Sequence, residues 1–182
     1  VDVEGLKDIL YAWADGRGTG ASGIIWLDQN APRPGKPYLG MRLQSFVRIG
    51  QDAVSATADD QGRVTVYGNR EFTLHLEWYG PGPMQKLEDL ASSLELPSVT
   101  SYMFQNDVAF VDRLGQDDIS ELLDSEYESR GFQDLLMRVA NIQLDPATGT
   151  VGEGYIETVN VGRTVKVGDD TVVDDVITIP EP

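Results

Sequence analysis

The run REFTLHLEWYG, residues 70–80, alternates without a break. Phe72, Leu74, Leu76 and Trp78 fall on one side and Glu71, Thr73, His75 and Glu77 on the other, the two-residue period of a half-buried strand. Such a strand asks for a sheet with one covered and one solvated face, which is the habit of antiparallel sheets. A cover follows at once. In GPGPMQKLEDLASSLELP, Met84, Leu87, Leu90, Ala91 and Leu94 recur at helical spacing, Pro83 suits the first turn, and Pro97 reads as the stop. Phe72, Leu74, Leu76 and Trp78 are therefore expected to pack against Leu87, Leu90 and Leu94.

The rest of the chain fits around this pair. Residues 2–14 read as an amphipathic helix, with Val3, Leu6, Ile9, Leu10 and Trp13 on one face and Asp2 as N-cap. The run DGRGTGASG, with four glycines in nine residues, ends it. IIWL (24–27) is short and β-prone. The proline-rich ramp DQNAPRPGKP then leads into a strand from Tyr38, with Leu39, Met41, Leu43, Val47 and Ile49 on one face and Arg42, Gln44 and Arg48 on the other. ADDQGR reads as a turn into RVTVYG. Beyond Pro97 the pattern suggests a loop, then a short strand VAFVD. DDISELLDSEYES reads as a helical turn or a solvated loop edge. GFQDLLMRVANIQL reads as a long strand with Leu135, Met137 and Val139 inward, a helix over 132–144 being the alternative. DPATGT is a turn and GYIETVNV the returning strand.

The expected fold is α+β, a mostly antiparallel sheet flanked by two main helices. The organisation is one domain over 1–163 and a C-terminal extended arm over 164–182. In the arm Val165, Val167, Val172, Val173, Val176, Ile177 and Ile179 alternate with acids, after a sheet that is already complete. Such a segment suits main-chain pairing along a neighbouring surface.

Composition narrows the function. The chain has no cysteine, which removes disulfides, thiolate nucleophiles and cysteine zinc sites. Its one histidine, His75, alternates with Leu74 and Leu76 and reads as a polar-face residue rather than a catalyst. Thirty acids stand against 14 bases, a net charge of −16, so the surface repels nucleic-acid phosphate instead of gripping it. The short apolar runs predict no membrane span, and with no secretory signal the chain reads as soluble and intracellular. The opening at Val1 fits either processing or a chain trimmed at its start. No GxGxxG or GxxxxGK[ST] cradle is present. The acids of GDDTVVDD lack the spacing of a calcium loop and read as a solvated edge. Trp13, Trp26 and Trp78 sit in apolar patterns and read as core. No catalytic, cofactor or metal residue is assigned.

Taken together and in order, PRPGKPYLGMRL, DDQGRVTVYGNREFTLHLEWYG with its following helix, SRGFQDLLMRVANIQLD and YIETVNV resemble the tail-terminator (neck-terminator) proteins of long-tailed bacteriophages, over residues 5–162. The resemblance implies a structural virion protein with no cofactor. It implies a homo-oligomeric ring, usually a hexamer, that caps the tail tube and docks the head-side connector. The implied partners are copies of itself, tube or sheath proteins and neck proteins, with DNA passing through the lumen without specific binding and no membrane. The implied site is the virion neck, assembled in the host cytoplasm. Arg42 and Arg48 are candidates to pair with acids of a neighbouring subunit, alongside the valines and isoleucines of the arm. The alternatives are another neck, collar or head-completion protein, a small-molecule module using exposed aromatics such as Tyr79 and Tyr102, and, last, a carboxylate hydrolase.

Overall fold

Asp2 starts the first helix, as its position suggests. Its carboxylate accepts from the backbone N–H of Gly5 at 3.1 Å, capping α1 (Val3–Gly16). In the computed structural model, residues 1–17, 19–30, 32–56, 59, 63–123, 126–145, 160–167 and 170–178 are described. The chain divides into two compact units, one of Val1–Asp52 with Tyr67–Ile142, the other of Ala53–Val66 with Gln143–Pro182.

The sheet contains β1 (Ile24–Trp26), β2 (Tyr38–Val54), β3 (Val64–Tyr79), β4 (Val108–Asp118) and β7 (Arg130–Asp145), in the order β1-β2-β3-β7-β4. It is mostly antiparallel, as expected. The exception is β1, which runs parallel to β2 with Ile24 opposite Leu39 and Trp26 opposite Met41. A parallel neighbour cannot be reached by a tight turn. Residues 27–37, the proline ramp, carry the chain back to the start of β2. The ramp therefore joins two strands.

The long alternating run is a single strand, β3, and its inward residues Phe72, Leu74, Leu76 and Trp78 are sealed from solvent. They share one apolar cluster with Leu6, Leu10 and Trp13 of α1 and with Leu87, Leu90 and Leu94 around α2 (Pro83–Ser93). β7 is a strand throughout, which removes the helical alternative, and Leu135, Met137 and Val139 face the core. All three tryptophans are buried, and the Trp13 indole donates to Ser93 Oγ at 3.1 Å.

Other expectations needed correction. α2 ends at Ser93, ahead of Pro97 as expected, but Pro97 opens a third helix, α3 (Pro97–Gln105), where a loop was expected, because a proline at the first turn gives up no helical hydrogen bond. Met84 lies exposed and Pro83 takes the buried place beside Leu87. The strand expected as VAFVD runs on to Asp118, with irregularities at Phe110/Asp112 and Arg113/Gly115 that hide its length from a period-two pattern. Residues read as a helical turn or loop edge form a hairpin, β5 (Glu121–Leu123) on β6 (Glu126–Glu128).

The second unit holds its own ladder. β8 (Asn160–Val167) pairs antiparallel with β9 (Asp170–Thr178), with Val165 opposite Val173 and Val161 opposite Ile177. The expected boundary between residues 163 and 164 falls inside β8. The same unit contains Asp59 and Arg63, joined by a charged side-chain pair at 2.7 Å. All of the expected turn DPATGT after Asp145, most of GYIETVNV and Ile179 lie outside the described residues.

Candidate interaction surfaces

The solvated face of the sheet is organised around Glu77. Alternation places Glu71, Thr73, His75 and Glu77 away from the helices, yet Glu77 is only 5% exposed. A carboxylate so enclosed needs partners. Tyr79 donates its hydroxyl to Oε2 at 2.5 Å, Arg130 of β7 donates from Nη2 to the same oxygen at 2.5 Å, and His75 Nε2 lies 2.9 Å from Oε1. The second nitrogen of His75 faces Asp134 Oδ1 at 2.6 Å, and its ring stacks on Phe132. Burial alone would push the Glu77 carboxyl up. The bonds from His75, Tyr79 and Arg130 outweigh it and hold the group at about 2, against an ordinary 4.5. The bond to Glu77 does most to raise His75 above 6.5; burial opposes it, and Asp134 adds to it. Burial first, then Glu77, pushes the Tyr79 phenol up.

Arg130 also lies over the Tyr79 ring, 4.8 Å from its centroid, and Tyr38 stacks on the same ring at 4.4 Å. Tyr79 is thus buried, and Tyr102 gives its hydroxyl to the Ile9 carbonyl at 3.2 Å. Neither is the exposed ligand platform that the small-molecule alternative required.

The proline ramp is fastened to this end of the sheet. Ser22 donates its backbone N–H to the Pro37 carbonyl at 2.6 Å, and its hydroxyl reaches the carbonyls of Gly35 and Pro37. Pro37 follows a cis peptide bond and packs against Gly80. Lys36 pairs with Glu128 at 2.5 Å, tying the ramp to the β5–β6 hairpin.

Arg42 and Arg48 are not brought together. Ser45 takes a left-handed conformation, φ 57°, that breaks the alternation of β2. Beyond it Phe46, not Val47, stacks on buried Phe72 at 5.2 Å, and Val47 is 57% exposed. Residues two apart share a face, so Arg48 belongs with Phe46, whereas Arg42 stays with Gln44 on the opposite face. Arg42 Nε is shut off from solvent with no hydrogen-bond partner among the described residues. Arg48 is exposed. Of the expected arm residues, Val165 and Val167 lie on β8, and Val172, Val173, Val176 and Ile177 on β9.

Sequence reasoning missed the most exposed apolar side chains. Phe104 at the end of α3 is 81% exposed, beside a shallow pocket lined by Asn69, Val108, Arg138 and Val139. Leu122 and Tyr127, directly opposite each other in the β5–β6 hairpin, are also exposed. The one signal available for the hairpin was an apolar residue on each side of the DS pair.

No group of acids and histidine among the described residues has the geometry to hold a metal ion. The sites that remain are surfaces. The family model of phage neck terminator proteins matches residues 4–170. The chain belongs to this family. A neck terminator is a structural phage protein, which accords with a surface built of ion pairs and exposed apolar side chains. The match continues through β8, beyond the residue 162 at which the sequence resemblance ended. No curated protein matches the chain. No helix among the described residues of this neck terminator is long and apolar enough to cross a membrane.

Proposed function

We propose that this neck terminator works as a sixfold ring of identical copies that closes the head-proximal end of the tail tube, ends tube growth and offers the connector its docking surface. The family match across residues 4–170 carries the reading. The exposed apolar side chains Phe104, Leu122 and Tyr127 support it, since a lone chain gains nothing by presenting them to water. Arg42, Arg48 and the valines of β8 and β9 belong to the contacts between copies, the hairpin edges supplying main-chain donors and acceptors to a neighbour. The lumen is net negative, in keeping with the overall charge of −16, so that DNA passes without adhering. This protein resides in the virion neck and joins tube or sheath proteins to the connector.

Imaging of tails assembled with and without the protein tests the reading. With it, tube ends carry a sixfold cap and lengths are uniform; without it, ends are bare and lengths vary. A single asymmetric copy at the tube end overturns the ring.

A further inference from the structure

Two exposed patches of opposite character lie at opposite ends of the first unit's sheet. At one end, Leu122 and Tyr127 are cross-strand partners in the β5–β6 hairpin, 68% and 66% exposed. Directly opposed residues share a face, so the two side chains form a single apolar knob. The hairpin is held in place: Glu128 pairs with Lys36, Ser120 Oγ donates to the Arg130 carbonyl at 3.1 Å, and Gly80 N–H donates to the Ser129 carbonyl at 2.9 Å. Asp117, Asp118 and Glu121 stand beside it in the chain, all exposed.

At the other end, beyond the break at Ser45, β2 presents Phe46, 41% exposed, and Arg48. The neighbouring strand contributes Arg70, which grips Asp52 through two bonds of 2.8 Å. Two guanidinium groups against one carboxylate leave this apolar patch positive. From Tyr38, beside the hairpin end, to Phe46 the chain spans roughly 25 Å at strand rise.

We infer that these patches bind each other between neighbouring copies, the Leu122–Tyr127 knob of one seating on the Phe46–Arg48 patch of the next. The inference rests on the ring reading above and names the surfaces that would close it. Three observations favour a second copy as the occupant. The charges are complementary, acids beside the knob and arginines beside the patch, which steers encounter and fixes register. Tyr127 and Arg48 are residue types that anchor interfaces when desolvated together. The patches differ and are too far apart for one copy to satisfy itself. Their contact is therefore head-to-tail, and a head-to-tail contact closes into a ring when its rotation allows.

The absence of cysteine allows a clean test. In the double variant Tyr127→Cys with Arg48→Cys, the two thiols of one chain are far beyond disulfide reach. Oxidised after assembly on tail tubes, it should give a ladder of covalently linked copies, and neither single variant should. Separately, Arg48→Glu and Glu121→Arg should each lower the yield of assembled protein about tenfold, and the combined reversal should restore it. Both residues are exposed, so melting of the free chain should not change. Assembly of normal mass with no ladder, and indifferent to the reversals, overturns the inference while leaving the ring intact. If the unaltered chain forms no multimer on tubes or in solution, the ring reading fails and the inference falls with it.

Discussion

Arg130 reaches from β7 to Glu77 on β3, its Nη2 2.5 Å from Oε2, and in doing so joins the two central strands through their otherwise solvated face. The same oxygen takes the Tyr79 hydroxyl, and the other takes His75, so the carboxylate is enclosed by donors on both sides. Apolar packing binds the sheet to its helices on one face. On the other, this cluster links strand to strand.

Removing the centre of the cluster should therefore be costly. Glu77→Ala leaves the buried Tyr79 hydroxyl and the part-buried Arg130 guanidinium without their acceptor, and a buried donor left unsatisfied costs about 1–3 kcal/mol. Chemical denaturation should show the loss as a lower midpoint at unchanged slope. A midpoint equal to that of the parent chain would mean that water replaces the carboxylate freely.

The two titrating members act on stability in opposite directions. Glu77 is held at about 2, below its ordinary 4.5, so its contribution is complete above 4.5 and drains away as the pH falls toward 2. His75 is raised above 6.5, so its contribution is complete below 6.5 and is lost as the pH rises through its folded value. Denaturation midpoints measured across pH should show both limbs, and His75→Gln should flatten the upper one. As the chain's only histidine, His75 also gives a single imidazole NMR titration, whose midpoint should lie above 6.5. A midpoint below 6.5 would contradict the pairing with Glu77 and Asp134.

The parts of this fold that were legible in the sequence are those where one period runs uninterrupted. Phe72 to Trp78 alternate along one strand, and Leu87, Leu90 and Leu94 keep helical spacing, so both faces could be read directly. Reading failed where one residue resets the period. Ser45 reverses the faces of β2, and a serine gives no warning that it will adopt a positive φ. Pro97 carries the same letter whether it ends one helix or begins another. Glu77 could be placed on the outer face, but its burial depends on Arg130, 53 positions away, and on a strand pairing that alternation alone does not specify. The exposed hairpin was missed for a related reason: three-residue strands are too short to show a period at all.

The reset at Ser45 has a measurable consequence. Phe46 stacks on Phe72 and Val47 faces water, so Phe46→Ala should destabilise the free chain by about 1 kcal/mol, the worth of an aromatic pair, while Val47→Ala should be neutral. Uninterrupted alternation from Leu39 predicts the reverse order. Thermal melts of the two variants side by side distinguish the arrangements.

The ramp offers the last test, because its closest approach to the sheet leaves room for no side chain. Gly80 follows the final residue of β3 with φ 140°, and a Cβ built there would stand 2.7 Å from Pro37 Cβ and 3.0 Å from Pro37 Cα. The first contact could relax only by moving the pyrrolidine ring, and the second only by moving the backbone that Ser22 holds through its bonds to the Pro37 carbonyl. The φ itself is one that residues with a Cβ rarely adopt. Gly80→Ala should therefore cost about 1–3 kcal/mol, more than the few tenths expected of a surface substitution. The damage should centre on the ramp, with faster amide exchange at Ser22 and Leu39, whose N–H groups bond the Pro37 and Gly23 carbonyls. Exchange in α2, where Leu87 and Leu90 pack in the core, should change only as much as global stability does. Gly80→Ala with parental stability and unaltered exchange at Ser22 would show that the ramp can lift from β3 without loss.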